Sequence, residues 1–141
     1  MSVKRVKPGE AAELLEQGWI YLDVRSEPEF AAGHPAGAYN VPLMHAGPNG
    51  MRPNPDFARV VEASFPTDAK LVVGCKSGGR SLRAAEMLLG SGFSDIVDMR
   101  GGFDGERTPA GDVTAPGWRA NQLPVSTSPE PGRSYRELQE K

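Results

Sequence analysis

The chain has 141 residues, enough for one domain that buries a core without disulfides or metals, and too few for two ordinary domains. Sixteen Lys and Arg against eighteen Asp and Glu leave a formal charge of −2, which excludes the global positive field that a nucleic-acid binder uses. The single cysteine excludes an intramolecular disulfide and any zinc site built on several thiolates; with no apolar leader and no run of ~18 apolar residues, the expectation is a soluble cytoplasmic protein with neither a membrane nor a nucleic-acid partner.

In chain order, Pro8 and Glu10 open a predicted helix whose Ala11, Leu14 and Leu15 share one face, and Gly18 stops it. Short apolar runs at 20–24, 38–41, 71–74 and 96–99 read as strands. A second helix begins near Arg80, carries the stripe Leu82, Ala85, Leu88 and Leu89, and closes at Gly90 or Gly92. Strands alternating with helices predict an α/β fold with a parallel sheet and crossover helices. Eleven Gly and Pro fall within residues 101–132, so the core is expected to end near residue 103. The last residues, RSYRELQEK, are too short for a helix stable alone. Residues 1–125 are therefore read as the domain and 126–141 as a flexible tail.

Between the strand ending at Gly74 and the second helix lies Cys75-Lys76-Ser77-Gly78-Gly79-Arg80. The turn sits at a strand's C-terminal end, where helix N-termini of an open parallel sheet point their N–H groups. Gly78 and Gly79 can adopt positive φ and turn amides inward to cradle an anion, and the helix behind them adds the positive end of its dipole. A lone cysteine is ordinarily a small apolar core residue. Here amide donors, the dipole, Lys76 and Arg80 all favour thiolate over thiol, which makes Cys75 the candidate nucleophile. Lys76, Arg80 and Arg83 fall within nine positions free of Asp and Glu, so the expected substrate is a small anion.

Gly74 to Ser81 also approaches the nucleotide-binding pattern G-x-x-x-x-G-K-[ST], with Asp23 as a magnesium-site aspartate, but Arg80 stands where the compact lysine is required. His34, between Gly33 and Pro35, reads as a loop histidine bonded to backbone rather than a general base. His45 has no partner motif, and no spacing of His34, His45 and Cys75 supports a metal.

Leu22-Asp23-Val24-Arg25 with Glu29-Phe30, then Gly33-His34-Pro35-Ala36-Gly37-Ala38-Tyr39-Asn40-Val41-Pro42, the Cys75–Ser81 turn, and Gly101-Gly102-Phe103 together resemble a single-domain rhodanese, a sulfurtransferase. The resemblance implies a three-layer α/β/α fold with a five-stranded, mainly parallel sheet. It implies that Cys75 takes a sulfane sulfur from thiosulfate or a similar donor, holds it as a persulfide, and passes it to cyanide or a thiol, with a sulfur-carrier protein as a candidate partner. Lys76, Ser77, Gly78, Gly79, Arg80 and Ser81 would bind the substrate, with Asp23 and Arg25 supporting. No cofactor or metal is required. Four residues separate Cys75 from Arg80, whereas the related phosphatases have five in a wider loop that accommodates phosphate, so the tighter turn favours sulfur.

Arg25 is placed to pair with Glu29 four residues on. The family's Trp near the Gly pair is displaced here by an insertion, and Trp118 is expected to fill its packing position. Arg107 and Arg119 are cations near the pocket rim with no assigned role. A non-catalytic persulfide-binding or redox-sensing module would use the same thiolate, and a dual-specificity-type or arsenate-handling phosphatase relative is a further alternative.

Overall fold

The computed structural model describes residues 3–77 and 79–140. Five strands, β1 (Lys4–Val6), β2 (Ile20–Asp23), β3 (Tyr39–Asn40), β4 (Lys70–Gly74) and β5 (Asp95–Met99), form a sheet in the order β1-β5-β4-β2-β3. Every neighbouring pair is parallel, so all C-terminal strand ends lie along one edge. Among the described residues the helices are α1 (Pro8–Glu16), α2 (Glu27–Ala32), α3 (Phe57–Ser64), α4 (Gly79–Gly90) and α5 (Tyr135–Leu138).

The strands alternate between two cores, as a sheet covered on both faces requires. Leu22, Leu71, Val73 and Ile96 join Phe57, Val60, Val61 from α3, Ala84, Ala85, Leu88 from α4 and Tyr135, Leu138 from α5 on one side. Tyr21, Val72, Val97 and Met99 join Ala11 from α1, Phe30 and Trp118 on the other. The three-layer α/β/α arrangement is thus present.

Where the structure departs from the expected elements, the reasons are local. The strand β1 has only Val6 buried, since Lys4 is exposed and Arg5 spans to the buried Asp98 carboxylate, so it carries no apolar run. The predicted strand at 38–41 is reduced to two paired residues. The expected flexible tail is instead docked: Tyr135 and Leu138 are buried, Asn54 Nδ2 donates to the Tyr135 hydroxyl at 3.2 Å, and Arg133 Nη1 donates to the Gly37 carbonyl at 2.7 Å. Val125 and Ser126 also pair with Pro35 and His34, across the expected boundary at 125. The insertion forms a small ribbon of Glu106–Arg107 against Val113–Ala115.

Candidate active site

Three loops meet at the C-terminal edge of the sheet: residues 24–26 after β2, 75–77 after β4, and 100–105 after β5. Cys75 follows β4 directly and is buried; its Sγ lies 3.4 Å from the hydroxyl of Ser81, in the first turn of α4. At Gly74, just before it, a Cβ would overlap the Tyr21 hydroxyl, so any side chain there requires the Tyr21 ring to shift. Burial raises the Tyr21 phenol well above its usual pKa, with Asp23 adding to the effect, so it stays neutral.

Arg80 is anchored by a bidentate pair, its Nη1 and Nη2 donating to Glu29 Oε1 and Oε2 at 2.7 and 2.9 Å. Glu29 is the third residue of α2, and the Ser26 N–H and hydroxyl also donate to its Oε1. One carboxylate therefore caps α2 and holds the start of α4. Burial alone would raise the Glu29 pKa, but the bonds from Arg80 and Ser26 outweigh it and bring it to about 2.

Asp23 and Arg25 form a second, fully enclosed pair. Arg25 Nε and Nη2 reach the Asp23 carboxylate at 3.0 and 2.7 Å, and Nη2 also donates to the Gly33 carbonyl at 2.7 Å. The guanidinium lies over the Phe103 ring, 4.4 Å from its centroid. The expected Arg25–Glu29 pair is replaced by this one, since Arg25 turns inward and Glu29 is taken by Arg80. A carboxylate so occupied also removes Asp23 as a magnesium ligand. Asn40, which sequence reasoning quoted but assigned nothing, closes the assembly: its Nδ2 donates to the carbonyls of Asp23 and Arg25.

The loop after β5 grips the backbone of the Cys75 turn. Phe103 N donates to the Cys75 carbonyl at 2.7 Å and Asp104 N to that of Lys76 at 2.9 Å. Gly102 makes this approach possible with φ +60°, and a Cβ there would stand 2.5 Å from the Cys75 oxygen and 2.6 Å from the Lys76 oxygen. Gly79, read as free to take positive φ, does not adopt it, because α4 already begins there. Gly78 lies outside the described residues. Trp118 is buried, with Nε1 donating to the Pro124 carbonyl at 2.7 Å.

A cavity of about 170 Å³ opens beside this loop, lined by Arg25, Glu29, Lys76, Phe103, Asp104 and Arg119. Ser77 and Gly79 line a different one, of about 310 Å³, with Arg5 and Arg107. Lys76, Ser77 and Gly79 are exposed. His34 is buried and stacked on Phe30, with Nδ1 2.7 Å from the Phe30 carbonyl. His45 lies in a separate two-stranded ribbon, Met44–Gly47 against Gly50–Pro53, with its ring centroid 5.6 Å from that of Tyr135. Among the described residues, no group of three or more His, Cys, Asp or Glu is placed to hold a metal, and no helix is long and apolar enough to cross a membrane.

Residues 7–106 match the Rhodanese-like domain family. The chain is 42% identical over 115 residues to thiosulfate sulfurtransferase 16, chloroplastic, of Arabidopsis thaliana, covering 82% of this chain and 86% of that protein. It is 37% identical over 105 residues to the thiosulfate sulfurtransferase GlpE of Pseudomonas fluorescens, covering 74% and 85%. Two longer relatives are spanned over 56% and 57% of their length. Among solved structures, Rv0390 of M. tuberculosis is similar with a TM-score of 0.76 at 26% identity, over 91% of this chain and all of that one.

Proposed function

The chain belongs to the rhodanese-like domain family and is a rhodanese-type sulfurtransferase, and from that premise we propose that it moves a sulfane sulfur through a persulfide on Cys75. The thiolate of Cys75 attacks the outer sulfur of thiosulfate, the sulfur–sulfur bond of the donor breaks, and sulfite leaves with the electron pair. Cyanide or a thiolate then attacks the terminal sulfur of the persulfide, and Cys75 departs as thiolate. No net oxidation of the protein occurs, and no metal or organic cofactor takes part.

The observation that carries this reading is the placement of the Cys75 sulfur at the end of β4, against Ser81 in the first turn of a twelve-residue helix. The positive dipole end of α4 would stabilise the anionic terminal sulfur of a persulfide. Lys76 supplies a mobile cation for the departing sulfite. Arg80 contributes charge and fixes the loop, since its fork is filled by Glu29. A thiolate nucleophile needs a reducing compartment, and the cytoplasm is the setting we propose.

Intact mass measured after exposure to thiosulfate tests the mechanism. The expected result is a gain of one sulfur atom, removed by cyanide with release of thiocyanate and absent in Cys75→Ser. Turnover by wild type with no sulfur on Cys75, or by Cys75→Ser, overturns it.

A further inference from the structure

We propose that Arg119 is a specificity-determining residue, a second cation that acts with Lys76 to draw an anionic donor into the cavity beside the Cys75 loop. This rests on the sulfur-transfer reading above and names what that site selects.

Six residues carrying charge or a ring line the 170 Å³ cavity, and two of the five charges are already engaged. Arg25 is enclosed with Asp23, and Glu29 is held by Arg80. What remains is Lys76, Arg119 and Asp104, two cations against one carboxylate. Arg119 and Asp104 do not neutralise each other closely: Nη1 is 3.8 Å from Oδ1, beyond hydrogen-bond reach, and the side chains are 65% and 38% exposed. A pair of that kind contributes little and yields readily to a better ligand. A planar guanidinium suits the oxygens of a sulfonate-like group, which it can meet with two parallel N–H donors.

The position of Arg119 is also fixed relative to the nucleophile. Its backbone N–H donates to the Phe103 carbonyl at 3.3 Å, and that of Trp118 to the Gly102 carbonyl at 2.8 Å. The same segment, through Phe103 N and Asp104 N, holds the carbonyls of Cys75 and Lys76. The Arg119 guanidinium stands 5.6 Å from the Phe103 ring centroid. A single buttress therefore holds the backbone of both Lys76 and Arg119, which line the same cavity.

Because Cys75 is the chain's sole cysteine, alkylation reports on it alone. The test compares anionic iodoacetate with neutral iodoacetamide, alongside the thiosulfate KM. Arg119→Gln should lower the iodoacetate-to-iodoacetamide rate ratio by roughly five-fold at low salt, with the effect shrinking as ionic strength rises. It should raise the thiosulfate KM by a similar factor with little change in kcat, while Arg119→Lys keeps most of the ratio and Asp104→Asn increases it. An unchanged ratio, or an equal fall in both rates, assigns Arg119 to packing and overturns the proposal. The ratio does not depend on persulfide formation, so failure of the transfer mechanism is read separately from failure of this one.

Discussion

Glu29 and Arg80, 51 residues apart, meet as a bidentate pair that ties the cap of α2 to the first turn of α4, one turn from the nucleophile. The Glu29 carboxyl is held at about 2 in the fold, against an ordinary 4.5. A depressed carboxyl adds stability that is fully present above pH 4.5 and is lost as pH falls toward 2. Discounted for the partial exposure of both side chains, the pair should contribute about 2 kcal/mol at neutral pH. Glu29→Gln should lose that stability at pH 7 and much less of it at pH 3, measured by urea unfolding. It should also lower kcat/KM, because an unclamped Arg80 loosens the loop. An equal stability loss at both pH values would show that the pair's charge is not what stabilises the fold.

This pair also shows where the residues alone mislead. Arg25 and Glu29 have the spacing of a helical ion pair, so local reasoning joins them. Only the parallel pairing of β2 with β4 brings Glu29 opposite Arg80 instead. The strand before Cys75 was legible because both its faces are buried, which leaves a continuous apolar run, and the turn itself was legible by its cations and glycines. Of the Gly pair read as free to take positive φ, Gly79 opens a helix, whereas a close approach at positive φ falls on Gly102, whose neighbour is the Cys75 carbonyl. Such a contact between distant backbones leaves no local sequence signal.

Asp23 to Asn is a sharper test of the scaffold. Arg25 is only 4% exposed in its side chain and relies on both Asp23 oxygens, with the Gly33 carbonyl and the Phe103 ring completing its surroundings. Removing the carboxylate charge leaves a buried guanidinium without its counter-ion, at an expected cost of about 3 to 5 kcal/mol. The loss should appear in chemical unfolding without any change in the slope against denaturant. A loss below about 1 kcal/mol would mean that water reaches Arg25, contrary to its burial.

Gly102→Ala should separate site geometry from global stability. The added methyl group cannot fit without displacing the Cys75 and Lys76 carbonyls, and the positive φ adds strain of about 1 kcal/mol or more. The turn should move, so kcat/KM is expected to fall by more than ten-fold while most molecules remain folded at 25 °C, as circular dichroism would report. Gly111→Ala is the comparison: it has a similar positive φ but open space around the Cβ, and lies in the insertion away from Cys75. Its cost should be confined to a modest loss of stability. Equal activity in the two variants would refute the coupling between this loop and the nucleophile.

The C-terminal residues provide the last test, because two apolar side chains after a Pro- and Gly-rich stretch gave little warning of burial. Leu138 is almost completely enclosed against the core formed by α3 and α4, and the Tyr135 hydroxyl accepts from Asn54, whose Nδ2 also holds the Pro42 carbonyl. Leu138→Ala should cost about 2 to 4 kcal/mol as a cavity-forming change. Tyr135→Phe, which keeps the ring and deletes one hydrogen bond, should cost about 1 kcal/mol. Neither side chain lines the cavities beside the Cys75 turn, so activity per folded molecule should hold steady while the unfolding midpoint drops. Unfolding midpoints indistinguishable from wild type in Leu138→Ala would show that these residues do not form part of the cooperative core.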